Sequence, residues 1–323
     1  MSIVASELKW YKSQTVTNNN ANGGKLSHLP IVTGVRNNVF PDVSEAERTS
    51  GITRYRKLFM KVDNASNYVL VNNRVHLKTI TPADDFVSIF AGTQTDTQND
   101  IVTPTEKGVG NLYTSVSAGE NEIQVLVENA SMNIFTTGDT IWVSNGNTEE
   151  YHANVTVSKT DGVYTIILDT GDQFSESYAN SNTRVASCLE YAEVKTVLSD
   201  FNVSSSAGTY NSNGIEIDNI GGIEETWTIN FTSSVNFSCS GTEIGSVGTG
   251  HIGSDFSPNN PNFTRPYFTL ASASFSGTWV DGDTIVFRTT PAAVPIWFKQ
   301  VVPPAAASYS GNNFTFRISG ESS

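Results

Sequence analysis

Apolar and polar residues alternate along much of this chain with the period of two that puts every second side chain on one face of a β-strand. The alternation is clean over residues 74–80 and 122–127, and it returns where Trp227, Ile229 and Phe231 occupy alternate positions. Across a Ser233-Ser234 turn this last run meets Val235, Phe237 and Cys239, which predicts an antiparallel pair with Trp227 and Phe231 on its buried face. Residues 153–157 and 163–168 predict a hairpin around Asp161-Gly162, a pair that tolerates the positive φ of a tight turn. One turn and strand is written twice, as Gly138-Asp139-Thr140-Ile141-Trp142-Val143 and as Gly282-Asp283-Thr284-Ile285-Val286-Phe287. The repeat predicts two all-β units in one polypeptide. Helix is expected to be scarce, with residues 43–49 as the short exception.

Read from end to end, the pattern divides into an extended arm (1–40), a first β unit (41–115), a second β unit with the hairpin (116–200) and a C-terminal β-sandwich (201–323). The predicted fold class is all-β: tandem sandwich or barrel units with long loops and an N-terminal arm. The arm carries Asn18-Asn19-Asn20-Ala21-Asn22-Gly23-Gly24, and its Trp10, Tyr11, Leu26, Leu29, Ile31 and Val32 follow no strand period, so it is expected to dock on something else. The first unit takes strands at 55–62, 74–80 and 86–90 and ends in a polar stretch, 92–110. A structureless loop of that length is expected to be functional or ordered against a partner. Seven short strands, at 215–217, 226–232, 235–239, 267–271, 284–289, 296–302 and 314–318, predict an immunoglobulin-like or similar sandwich.

A length of 323 residues gives room for two or three such cores. Only 16% of residues are charged, and Asn, Ser, Thr and Gly fill the deficit, as in sandwiches with long loops. The net charge of −13 speaks against a duplex DNA or RNA binder, which gains affinity from clustered Lys and Arg. The one basic group, Arg54, Arg56, Lys57 and Lys61, lies in an alternating segment and is expected to line the solvated edge of a strand. Cys188 and Cys239 are two cysteines within apolar runs, expected to be reduced core residues. Residues 1–10 lack the apolar segment of a signal peptide, no run reaches membrane-spanning length, and the expected compartment is a reducing cytosol. Eight Asn-X-Ser/Thr triplets are then chance products of the composition.

Candidate chemistry is sparse. Gly248-Thr249-Gly250-His251-Ile252-Gly253 matches the dinucleotide fingerprint in letters, but Pro258 and Pro261 forbid the helix that would hold a pyrophosphate, so a mobile glycine-rich loop ordered at an interface is expected. His28, His76, His152 and His251 are scattered without zinc-site spacing. Glu149-Glu150 before His152 is an acid and base cluster or a charged hairpin end. Asp84-Asp85 and Glu224-Glu225 would serve a glycosidase only across a cleft, and Asp281-Gly282-Asp283 lacks the further oxygen ligands of a calcium loop. No catalytic, cofactor-binding or metal-ligating residue is therefore assigned, no cofactor is expected, and the protein is read as no enzyme.

Three stretches carry a resemblance as a set: Gly51-Ile52-Thr53-Arg54-Tyr55-Arg56-Lys57-Leu58-Phe59-Met60-Lys61; the middle segment from Gly138-Asp139-Thr140-Ile141 through Asn147-Thr148-Glu149-Glu150-Tyr151-His152 to Asn182-Thr183-Arg184-Val185-Ala186-Ser187; and Gly253-Ser254-Asp255-Phe256-Ser257-Pro258-Asn259-Asn260-Pro261 with Pro291-Ala292-Ala293-Val294-Pro295-Ile296-Trp297. Together they resemble structural proteins of tailed bacteriophages. The resemblance implies a non-enzymatic virion component assembled in the bacterial host cytoplasm, foremost a neck, collar or head-to-tail connection ring that touches other neck, portal or tail proteins. A baseplate or tail-tip component is the alternative, as is a glycan-binding adsorption protein using Trp279 and Trp297; a polysaccharide-degrading enzyme ranks third. A homo-oligomeric ring around DNA would line its channel with acid, with Asp96, Asp100, Glu149 and Glu150 as candidates, and would bind no nucleic acid by sequence and no membrane.

Overall fold

The computed structural model describes residues 2–322 and is built almost wholly of antiparallel strands. Three bodies emerge, and the chain visits them out of sequence order. The base is a sandwich of two sheets. One sheet has the order Gly23–Pro30, Leu8–Thr15, Ile52–Val62, Ala293–Val302, Phe86–Ala91; the other has Leu189–Val194, Leu70–Leu77, Phe316–Ser322. Between them lies one apolar core in which Leu58, Met60, Val62, Val75, Leu77, Ile89, Ile296 and Phe298 are each 2% exposed or less.

The middle body is a single seven-stranded sheet running Thr156–Thr160, Val163–Ile167, Glu122–Leu126, Val109–Leu112, Arg184–Ser187, Ile141–Ser144, Glu149–His152, curled round its own core of Val125, Ile134, Ile141, Val143, Tyr164, Ile166 and Phe174. The third body has a five-stranded sheet, Val197–Ser204, Thr284–Thr290, Glu225–Phe231, Asn236–Gly241, Gly245–His251, covered by three two-stranded pieces over Trp227, Phe231, Phe237, Phe268, Trp279 and Phe287. Both bodies are insertions into the base whose ends meet. Gly108 and Ser187 exchange hydrogen bonds at the root of the middle body, and Val197 pairs with Thr290 at the root of the third.

The turns follow the sequence more closely than the strand bounds. The hairpin's first strand is Thr156–Thr160 rather than 153–157, because the two-residue turn lets pairing run up to Thr160 opposite Val163, and Asp161 (φ 49°) and Gly162 (φ 82°) supply the left-handed pair that such a turn requires. Phe231 pairs with Phe237 and Ile229 with Cys239, with Trp227 and Phe231 fully buried; Val235 instead sits exposed in the turn. The helix is Glu45–Ser50, started by a reciprocal capping box between Ser44 and Glu47.

The larger organisation departs from expectation in four places. The described part of the expected arm, residues 2–40, is not free: Leu8–Thr15 lies inside the base sheet between Gly23–Pro30 and Ile52–Val62, Trp10 packs edge-on to Phe298 and Phe316, and Tyr11 is buried. The hairpin needs partners distant in sequence, and its irregular register against Gly23–Pro30 breaks the period that would have revealed it. Second, the C-terminal sandwich does not run to 323. Ala293–Val302 returns to the base, pairing with Ile52–Val62 on one side and Phe86–Ala91 on the other, and Phe316–Ser322 pairs with Leu70–Leu77. Strand spacing marks strands but not their partners. By the same token Leu189–Val194, placed in the second unit, is a base strand.

Third, Arg54, Arg56, Lys57 and Lys61 do not line a solvated edge. Ile52–Val62 is the central strand of its sheet, and these residues are 4%, 6%, 1% and 0% exposed. Fourth, the glycine-rich segment is not a loop but the edge strand Gly245–His251, paired with Asn236–Gly241 through a bulge.

Candidate functional site

The four buried cations act as pins for loops. Lys57 Nζ donates to Asp96 Oδ1 at 2.7 Å, to the Gly24 carbonyl at 2.7 Å and to the Asp96 carbonyl at 3.0 Å, so each ammonium proton has an acceptor. Burial pushes this lysine below its ordinary range, and Asp96 opposes that shift. Asp96 also accepts from Trp297 Nε1 at 2.8 Å and from the Thr93 amide at 3.0 Å. Gly23 crosses directly over the Trp297 ring at φ 110°, where a Cβ would lie 2.7 Å from the indole. Around this knot the polar stretch 92–110 is ordered against the chain's own N-terminal segment: Gln98 donates to the Asn22 carbonyl, Asn99 to that of Asn20, and Gly23 bridges Thr97. Arg56 reaches the Thr17 carbonyl and Asn18, while Arg54 holds the Pro41 carbonyl and Glu47.

Lys61 joins the base to the third body. Its Nζ pairs with Asp63 at 2.6 Å, donates to the Ile220 carbonyl at 2.8 Å and lies 4.7 Å over the Phe263 ring, which meets Tyr11 edge-on. Asn219 reaches Asn67 and Tyr68, and Lys25 pairs with Glu243 at 2.7 Å. A cleft of about 280 Å³ opens beside the root of this body, between Tyr191, Glu193 and Lys195 on one side and Thr290, Pro291 and Pro295 on the other.

The middle body meets the base along an aromatic and ionic seam. His76 stacks on Trp142 with ring centres 4.7 Å apart and meets Tyr151 edge-on at 5.9 Å. Arg317 grips both Glu149 oxygens at 2.7 and 2.6 Å, Glu149 also accepts from Trp142 Nε1 at 3.1 Å, and Tyr151 OH lies 3.3 Å from Ser319 Oγ. A second cleft, about 400 Å³, lies elsewhere between these bodies and contains the Glu106–Lys299 pair at 2.6 Å.

The other sequence candidates are separated by this arrangement. His28 is exposed on the base edge, His76 is in the seam, His152 is in the middle body, and His251 accepts from the Gly253 amide in the third. His152 Nδ1 lies 2.8 Å from Asp172 and Nε2 3.4 Å from Glu150, whose Oε2 accepts from the Ser175 amide and hydroxyl. Asp84 caps the Ala307 amide; the buried Asp85 accepts from Gln300 and Asn312, tying down the C-terminal loop. Glu224 pairs with Arg288 at 2.5 Å, and Glu225 accepts the Glu243 and Ile244 amides. Asp283 accepts from Ser205 and the Val280 amide, whereas Asp281 is exposed. Trp279 stacks flat on Phe231 at 4.1 Å and Trp297 is fully buried, so neither offers a face to a sugar. Cys188 and Cys239 are buried free thiols, each pushed up to about 12 by burial.

Charge is the feature that strand counting missed, although residue counts along the chain reveal it once the boundaries are known. Residues 109–187 hold ten Asp/Glu against two Lys/Arg, and residues 197–290 hold nine against two. The rest of the chain, which forms the base and its connections, holds fifteen Lys/Arg against thirteen Asp/Glu. The acidity thus belongs to the two insertions. Among the four residues expected to line a channel, Asp96, Glu149 and Glu150 are engaged internally, and Asp100 is exposed while capping Thr97.

Among the described residues, no group of three His, Cys, Asp or Glu side chains gathers in a geometry that could hold a metal ion, and no helix is long and apolar enough to cross a membrane. Compared with known proteins, the chain matches no family model, no curated protein and no solved structure.

Proposed function

We propose that this protein is a non-enzymatic structural component of a tailed-phage virion, a subunit of a neck, collar or head-to-tail connection ring. The observation that carries the reading is the use of its buried charge. Lys57, Lys61, Asp85, Glu149 and Glu224 each hold one segment of the chain to another, and an assembly part needs that rigidity more than a reactive group. The three resembling stretches fall in all three bodies, so the likeness concerns the whole architecture.

In this reading the near-neutral base makes the contacts between copies and with neck, portal or tail neighbours, and the acidic insertions project from the ring. Their negative field keeps DNA and other polyanions from adhering. The particle is assembled in the host cytoplasm. Mass spectrometry of purified particles combined with gold labelling of the chain tests the assignment. The chain should be present in a ring-like copy number with gold at the neck. Gold at the tail tip moves it to the baseplate; gold at fibre tips, or no chain in the particle, removes the reading.

A further inference from the structure

We infer that the seam between base and middle body is an acid-sensitive latch, with His76 as the residue whose protonation opens it. The imidazole is 0% exposed and neither ring nitrogen meets a protein hydrogen-bond partner. It enters the seam from Leu70–Leu77, directly opposite Arg317 on Phe316–Ser322, and the middle body closes it with Trp142 and Tyr151.

The charged and titratable groups around it decide how the seam responds to acid. Arg317 and Lys78 are cations that disfavour a second positive charge, and Lys78 lies 5.9 Å over the Trp142 ring. Glu149 is the carboxylate that would favour it, but Arg317 holds both its oxygens. Arg74 lies over Tyr151 and is paired with Glu190 on Leu189–Val194, and Cys188, the residue before that strand, is a buried neutral thiol. An imidazolium in the closed seam would therefore have neither water nor a free acceptor. The ring can take a proton only by leaving the Trp142 face, and that parting also opens the core that Val109, Trp142 and Ala186 share with Val75 and Leu77 of the base.

Desolvation, with Arg317 adding to it, holds the closed-state value near 3 against an ordinary 6.5. A folded-state value below the unfolded one means that stability is complete above pH 6.5 and is lost as pH falls toward 3. At pH 4.5 the opening equilibrium should be about a hundredfold larger than at neutral pH.

Hydrogen exchange of the full chain, corrected for intrinsic rates, tests the latch between pH 7 and 4.5. Protection of residues 70–77 and 141–152 should fall by about that factor while Glu225–Phe231 keeps its protection. His76→Phe, which stacks but cannot take a proton, should flatten the response, and His76→Gln serves if the phenylalanine variant fails to fold. An equal fall in wild type and neutral variant, an equal fall in the third body, or a His76 ring that titrates near 6.5 with the seam still protected overturns the inference.

Discussion

Asp96 shows how single side chains hold this structure together. One carboxylate receives a fully buried lysine, the Trp297 indole and a backbone amide, while its carbonyl receives Gly24. Truncating it leaves Lys57 charged and unpaired inside the protein, a loss of about 3–5 kcal/mol. We expect Asp96→Ala to destabilise the base by that amount in denaturant titration, and the double variant Lys57→Met, Asp96→Asn to lose clearly less, because the charge leaves with its partner. The two Gly-Asp turns show a second residue-scale device. In each, the aspartate Oδ2 accepts the amide three residues upstream, from Thr136 or from Val280, at 2.9 Å, and the glycine amide donates into its own body at 2.8 or 2.9 Å. In the third body Phe231 stacks on Trp279 and touches Phe237 and Phe275, so Phe231→Ala should cost about 3–5 kcal/mol of that body's stability. A variant melting with the parent would show that the stack carries little.

At the scale of elements, the N-terminal hairpin is the sharpest test. Leu8–Thr15 is an interior strand, so deleting residues 2–24 should leave the base unfolded; a truncated chain with native circular dichroism and cooperative melting would return these residues to the role of an arm. What the sequence made legible was local. The alternating strands, the Asp161-Gly162 turn and the short helix expected over 43–49 each depend on neighbours within a few residues; the turn and the helix form where the pattern places them, and the strand expected at 74–80 forms three or four residues earlier, at Leu70–Leu77. What it concealed was pairing at long range. Ala293–Val302 reads as one more strand of the last unit, yet its partners lie more than two hundred residues away, and no periodic signal distinguishes a partner ten residues off from one at that distance. The lysines of Ile52–Val62 misled for a related reason. Lysine in an alternating strand normally signals a solvated face, but here loops and the third body cover that face and supply the acceptors. The seam around His76 was equally hidden, since His76, Trp142 and Arg317 come from three distant parts of the chain.

At the scale of the whole molecule, the third body has a core of its own, whereas the middle body shares Val109, Trp142 and Ala186 with the core of the base. Residues 196–291 contain a complete aromatic core and close on themselves through the Val197–Thr290 pairing, so this fragment should fold alone with a cooperative melt. The charge distribution makes a further prediction. With the acid concentrated in two bodies and the Arg54, Arg56, Lys57 and Lys61 group pinned internally, duplex DNA should not bind even at low ionic strength; a submicromolar, strongly salt-dependent affinity would favour a DNA-gripping role. The central claim, that this chain is a ring-forming part of a virion whose base joins the copies, is tested most directly by an image reconstruction of the intact particle at subnanometre resolution. The account predicts a closed ring at the neck in which the base sandwiches touch and the two acidic bodies of each copy project. Copies found singly at fibre tips, or a ring joined through the acidic bodies with the bases apart, would contradict it.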